Sequence, residues 1–211
     1  MVHNYIFVGP QGSGKGTQAK IVAEKFNLCH ISTGDLLRNL SGSMKEKVDE
    51  YMNSGQLVPD CIVLNILKQK LDSNNCENGF ILDGFPRNIG QANELDKIVK
   101  IDAMFSIEVS NEEVVRRING RRFCSKCTTN YNIYVQEIKP KKEGVCDKCG
   151  GKLLKRDDDN EEAIKKRLEI YFKDTQPLLR HYNTIRINGE QTIEKVNEDI
   201  MKAIKMLGFF R

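Results

Sequence analysis

No apolar run in this 211-residue chain approaches the ~20 residues that a membrane-crossing helix needs. Aromatic residues are scarce at 7%, and no basic stretch carries interleaved aromatic groups on which bases could stack. Net charge is only +4, too small by itself to argue for nucleic acid, and clustered arginines suit anionic phosphate substrates equally well. No internal repeat is visible, and no low-complexity tract beyond Asp157-Asp158-Asp159. The chain enters an apolar run almost at once, so no signal or transit peptide is expected.

What remains is the profile of one α/β domain with insertions. The apolar share of 39% is enough for a core, and the charged share of 29% is ordinary for a soluble surface. The informative stretch is Val8-Gly9-Pro10-Gln11-Gly12-Ser13-Gly14-Lys15-Gly16-Thr17. It follows Tyr5-Ile6-Phe7-Val8 and precedes a helical pattern from Gln18 to Phe26. A glycine-rich loop between strand and helix is a phosphate cradle. Its backbone N–H groups converge on an anion, the helix N-terminus adds partial positive charge, and Lys15 reaches the outer phosphates. The residue after Lys15 departs from the general P-loop pattern. It is Gly16, and the hydroxyl comes at Thr17, which leaves direct metal ligation by Thr17 open.

Alternating strand and helix patterns predict a parallel sheet with helices on both faces. The strands fall at Tyr5–Val8, Cys29–Ile31, Phe80–Leu82, Ala103–Glu108 and Thr184–Ile187. Asn111 is the expected N-cap of a helix over Glu112–Asn119, and Thr192 of one over Ile193–Leu207. A long charged helix over Glu161–Lys173 should kink or restart at Pro177. Thr33 to Leu71 reads as helices only, and the span from Arg121 to Asp159 has no helical period.

That last span holds Cys124, Cys127, Cys146 and Cys149, spaced C-x2-C-x18-C-x2-C. Four thiolates at this spacing close a tetrahedron around zinc and leave no open position for water, so the site reads as structural. A nucleic-acid zinc ribbon and a redox dithiol use similar pairs. Cys29, Cys61 and Cys76 are scattered, and an odd total beside a P-loop argues for a reducing, cytoplasmic compartment.

Gly79-Phe80-Ile81-Leu82-Asp83-Gly84 is an apolar strand ending in a carboxylate. At the carboxyl edge of a parallel sheet Asp83 faces the P-loop and can hold Mg2+ directly or through water. Arg38, Arg87, Arg117, Arg121, Arg122, Arg156 and Arg167 stand where phosphates would need them. Phosphoryl transfer asks for neutralised oxygens, in-line placement and exclusion of water rather than covalent help. For Arg116, Arg122, Arg180 and Arg186 a solvated helix face is an equal reading.

Taken together these segments resemble an adenylate kinase of the long, zinc-lid type. The matching stretches are Gly9–Thr17, Ser32–Asp35, Gly55–Asp60, Gly79–Arg87, Gln91, Gly120–Arg122, Arg156, Asp158–Glu162 and Arg167. The resemblance implies a five-stranded parallel core flanked by helices over 1–31, 62–120 and 159–211. It adds a helical AMP-binding lobe at 32–61 and a small zinc-binding β lid at 121–158. It implies that Gly12, Ser13, Gly14, Lys15, Gly16 and Thr17 hold the ATP phosphates, with Arg117, Arg121, Asn130, Tyr131 and Gln191 also at the ATP site. Thr33, Gln56, Leu57, Val58, Gly84, Phe85, Pro86 and Gln91 would line the AMP site. Arg38 and Arg87 would grip the AMP phosphate, Arg121, Arg156 and Arg167 would surround the transferred group, and Asp83 would orient hydrated Mg2+.

The implied reaction is ATP + AMP ⇌ 2 ADP, by positioning and charge stabilisation with lid closure. The rivals are a nucleoside monophosphate kinase with GTP or another donor, and a P-loop zinc-ribbon protein that binds nucleic acid. The resemblance favours ATP, AMP and ADP as partners, with neither nucleic acid nor membrane, and a monomer. Gly208 is a plausible helix stop. Beyond it Phe209 and Phe210 either fold back onto the core or anchor self-association.

Overall fold

The computed structural model describes residues 2–72 and 76–208. Phe209 and Phe210, and with them any contact of the C-terminal tail, lie outside the described residues. Five strands form one parallel sheet: β1 (His3–Val8), β2 (Cys29–Ser32), β3 (Gly79–Asp83), β4 (Ala103–Glu108) and β8 (Thr184–Asn188), in the order β2-β3-β1-β4-β8. Three more, β5 (Arg121–Cys124), β6 (Asn130–Asn132) and β7 (Leu153–Leu154), make a small antiparallel sheet with β5 in the middle.

β1 is buried along its whole length because helices cover both faces of the sheet. Alternate side chains feed two cores. Tyr5 and Phe7 pack with Phe105 on the face covered by α1 (Lys15–Phe26) and α8 (Ile193–Met206). Ile6, Val8, Leu82 and Met104 pack on the other face with Leu67 of α4 (Asp60–Asp72) and Leu95 of α5 (Ile89–Asp96). Each large apolar side chain buried in this way contributes roughly 1.5–3 kcal/mol.

The stretch expected to be helical throughout holds α2 (Thr33–Arg38), α3 (Gly42–Asn53) and α4. The segment without helical period holds the small sheet and a short 3-10 turn at Gln136–Ile138. Two expectations need correction. Ser110, not Asn111, caps α6 (Asn111–Gly120): its Oγ accepts from the Glu113 amide at 3.4 Å, and Asn111 is already helical. Either residue type can cap, but Ser110 has the extended backbone that a cap needs. The long helix also stops earlier than expected. α7 covers Glu161–Ile170, a π turn runs over Tyr171–Thr175, and a 3-10 helix with Pro177 in its first turn spans Gln176–Arg180. Pro177 cannot donate to the helix ladder, and the wider turn ahead of it absorbs the mismatch.

Candidate active site

The carboxyl ends of β1, β3 and β4 lie side by side, with Phe7 in register with both Asp83 and Phe105. The order of strands reverses about β1, and a crevice opens there by topology alone. A cavity of about 310 Å³ occupies it.

The loop after β1 frames one side. Gly14 precedes α1 with φ +94, a left-handed conformation natural to glycine, and no side chain caps the helix. The first-turn amides therefore have no partner from within the helix and face the crevice as an anion cradle. Lys15 donates to the Pro10 carbonyl at 3.3 Å across the loop. Desolvation pulls its ammonium down to about 8, against the pull of Asp83 and with the push of Arg87, Arg121 and Arg167.

Asp83 closes the floor. His30 Nε2 stands 3.6 Å from its Oδ2. Burial alone would raise this carboxyl, but the adjacent His30 and the charge of Lys15 outweigh it and hold the group below its ordinary range. Gly16 packs directly above: a Cβ there would sit 2.8 Å from Asp83 Oδ2. The departure from the usual P-loop pattern thus has a steric cause.

A second set of groups frames the other end. Thr33 Oγ1 donates to the Gly84 carbonyl at 3.1 Å, and Arg87 Nε to the same carbonyl at 2.8 Å. Gln91 accepts from the Arg87 amide at 2.7 Å and donates to Asp60 Oδ1 at 2.6 Å. Asn88 caps α5 through the Gln91 amide at 2.7 Å. Burial and the neighbouring Arg167 lower Arg87 to about 10.

Between the two ends lies an ionic cluster. Asp158 and Asp159 are buried. Asp158 Oδ2 takes Arg167 at 2.8 Å and Arg38 at 3.3 Å. Asp159 takes Arg121, through Nε at 2.8 Å and a second contact from Nη2. Arg156 reaches Asn130 Oδ1 at 3.3 Å, and burial with the nearby Arg121 lowers it to about 10. Arg117 spends its guanidinium on Glu113, the Ser13 carbonyl and the Gly189 carbonyl. Gln191 holds the Asn188 carbonyl and Asp199 at 3.0 Å each.

The nucleotide-site residues named from the sequence all line this one cavity. Gln56, Leu57 and Val58 enter from the α3–α4 connection, and Gly84, Phe85 and Pro86 from the loop after β3. Tyr131 also lines it, although its hydroxyl lies 3.4 Å from Cys146 Sγ and accepts from the Asp147 amide at 2.8 Å. Arg116, Arg122, Arg180 and Arg186 do not line it. Cationic groups converge around a cavity with only a few carboxylates among them, which is the arrangement for several phosphates at once.

The family model for adenylate kinase matches residues 7–187. The chain belongs to the adenylate kinase family. It is 47% identical to an adenylate kinase of Methanothrix thermoacetophila, over 95% of this chain and 98% of that one. It is 45% identical to that of Archaeoglobus fulgidus, covering 97% and 99% of the two chains. It is 44% identical to that of Caldicellulosiruptor bescii, covering 94% and 97%.

Away from the cavity, the four cysteines of this adenylate kinase family member converge. Their sulfurs all lie within 4.8 Å of one another, with Cys124–Cys149 at 3.4 Å and Cys127–Cys146 at 3.5 Å. Sulfurs about 2.3 Å from a tetrahedral ion would stand nearly 4 Å apart, so the set fits a metal with little adjustment. The Lys126 and Cys127 amides donate toward Cys124 Sγ, which suits a thiolate.

The cavity residues Gln11 and His30 carried no role in the sequence reading, and neither did Asp158 and Asp159, which pair with arginines that line the cavity. Asp158 and Asp159 sat in a matched motif and in the short acidic run Asp157-Asp158-Asp159. Only the fold shows that they face arginines.

Proposed function

We propose that the protein transfers the terminal phosphoryl group of Mg-ATP reversibly to AMP, giving two ADP. The observation that carries this reading is the single cavity with a P-loop at one end, Thr33 and Gln91 at the other, and arginines between. On this reading the donor binds along Gly12 to Thr17, beside Arg117, Asn130, Tyr131 and Gln191. The acceptor lies among Thr33, Gln56 to Val58, Gly84 to Arg87 and Gln91. Gln91 still has one amide hydrogen to offer a purine edge after its contact with Asp60.

Arg38 and Arg87 hold the acceptor phosphate. Lys15, Arg121, Arg156 and Arg167 meet the charge spread over the moving phosphoryl group, and their burial strengthens the effect. Asp83 is the group that would hold hydrated Mg2+, which when bound neutralises phosphate oxygens. The absence of a side chain on Gly16 leaves that carboxylate its place. No proton acceptor is required beyond the phosphates themselves, because the acceptor oxygen of AMP is already ionised.

The same reading divides the chain into a core at 1–31, 62–120 and 159–211, an AMP-binding lobe at 32–61 and a lid at 121–158. Zinc on the four cysteines would hold the lid together. Its partners are ATP, AMP and ADP, not nucleic acid or membrane, and it works as a monomer. The cysteines are unpaired thiols, which supports a reducing, cytoplasmic setting, and among the described residues no helix is long and apolar enough to cross a membrane. A coupled assay tests the function: ADP must form from ATP, AMP and Mg2+ without nucleic acid. Acceptance of UMP or CMP in preference to AMP would overturn it.

A further inference from the structure

Gln11 lies in the P-loop but has no part in the reading above. Its side chain nevertheless makes two contacts with the ionic cluster. The amide nitrogen donates to Asp159 Oδ1 at 2.8 Å, and the carbonyl accepts from Arg167 Nη1 at 2.7 Å. Asp159 in turn holds Arg121. One amide therefore joins the phosphate loop to two guanidiniums that arrive from α7 and from the start of β5. Both guanidiniums lie close enough to Lys15 to depress its ammonium.

An amide suits this place chemically. It donates at one end, accepts at the other and carries no charge. The reversed orientation would set its NH2 against a guanidinium and its carbonyl against a carboxylate. A glutamate would keep the bond to Arg167 but meet Asp159 as a like charge. An alanine would reach neither partner.

We propose that Gln11 is a positioning residue for phosphoryl transfer: it holds Arg121 and Arg167 in register with the P-loop, so that both guanidiniums meet the group the loop presents. This rests on the adenylate kinase reading. A tie with only structural weight would lower stability and leave the transfer step alone.

The test compares wild type with Gln11→Met, which keeps length and packing but removes both hydrogen bonds, and with Gln11→Glu. Single-turnover transfer from Mg-ATP to AMP is read by rapid quench, so that lobe opening does not mask the step. In Gln11→Met the transfer rate should fall about tenfold or more, as expected for lost hydrogen bonds to charged groups and misplaced guanidiniums. KM for AMP should stay within about twofold and Tm within about 2 °C. Gln11→Glu should fall at least as far. Adding Gln11→Met to Asp159→Asn should cost less than it does in wild type, since the two act through one link. A wild-type transfer rate in Gln11→Met overturns the inference, as does a loss that merely tracks a fall in Tm and a rise in KM. No ADP from the wild type would instead refute the phosphotransfer reading, and this inference with it.

Discussion

Gly16 and Asp83 meet closely: any side chain at position 16 would begin 2.8 Å from Asp83 Oδ2, a carboxylate that lies beside His30 and in the field of Lys15. The P-loop of this chain has no hydroxyl after its lysine because the floor of the site occupies that space.

Gly16→Ala should therefore damage function more than stability. Replacing glycine in a helix gains about 1 kcal/mol, and crowding costs about 1–3 kcal/mol. The two nearly cancel, so Tm should move by only a few degrees. Displacement of Asp83 has no such offset, and kcat/KM for Mg-ATP should fall about tenfold or more, a 1 Å misplacement being enough for that. Unchanged kinetics would show that the carboxylate can swing aside freely.

Lys15 illustrates a conflict between stability and function. Its ammonium is desolvated and faces three arginines, which lowers its pKa from 10.5 to about 8. The unfolded chain therefore binds more protons between those two values, and wild-type stability should rise with pH across that window. Lys15→Met should abolish most activity while raising the Tm of the nucleotide-free protein at pH 7 by about 2–5 °C. The advantage should shrink as pH climbs from 8 toward 10. A variant less stable than wild type at pH 7 would show that Asp83 alone satisfies the lysine.

Asp158 should behave in the opposite sense. Burial alone would raise its carboxyl, but Arg38 and Arg167 overcome that and hold it at about 2. Its ordinary pKa is near 4. Its contribution to stability is thus complete above about pH 4 and is lost as pH falls toward 2. Asp158→Asn leaves two guanidiniums without their counter-charge and should lower Tm by about 4–8 °C at pH 7. The gap should narrow as pH falls from about 4 toward 2, and also on adding a nucleotide whose phosphates supply the missing charge. A pH-independent gap would mean that Asp158 acts by packing.

The sheet was readable because its strands carry strong local patterns. Tyr5–Val8 and Ala103–Glu108 are apolar runs between turn signals, and the structure moves the strand ends by one or two residues at most. The strand-to-helix loop and the convergence of the four cysteines were readable because each follows from local spacing. Ser110 over Asn111 as a cap, and the π turn at Tyr171–Thr175, depend on how the ends of α6 and α7 meet the rest of the chain. The partners of Gln11, His30 and Asp158 are long-range in the same way. Gln11 meets Asp159 across 148 residues and Asp158 meets Arg38 across 120, so no local pattern contains either pair.

The small sheet has almost no core of its own. Its buried cluster is Cys124, Tyr131, Cys146 and Leu153, and two of those four are thiols. Among these residues the Tyr131 hydroxyl lies against Cys146 Sγ and accepts from the Asp147 amide, so even the aromatic side chain is committed to the cysteine cluster. So little apolar area gives β5, β6 and β7 weak support, and on the proposed zinc reading metal binding supplies the missing folding free energy. Freshly prepared, reduced protein should therefore contain one zinc per chain by elemental analysis. Chelation should unfold this lobe in a separate low-temperature transition, while the five-stranded sheet, with its two large cores, melts later. Activity should disappear with the first transition, because Arg121 and Asn130 enter the cavity from β5 and β6. Cys146→Ser should reproduce the effect without chelator. A metal-free protein with a single cooperative melt and full activity would remove zinc from the account.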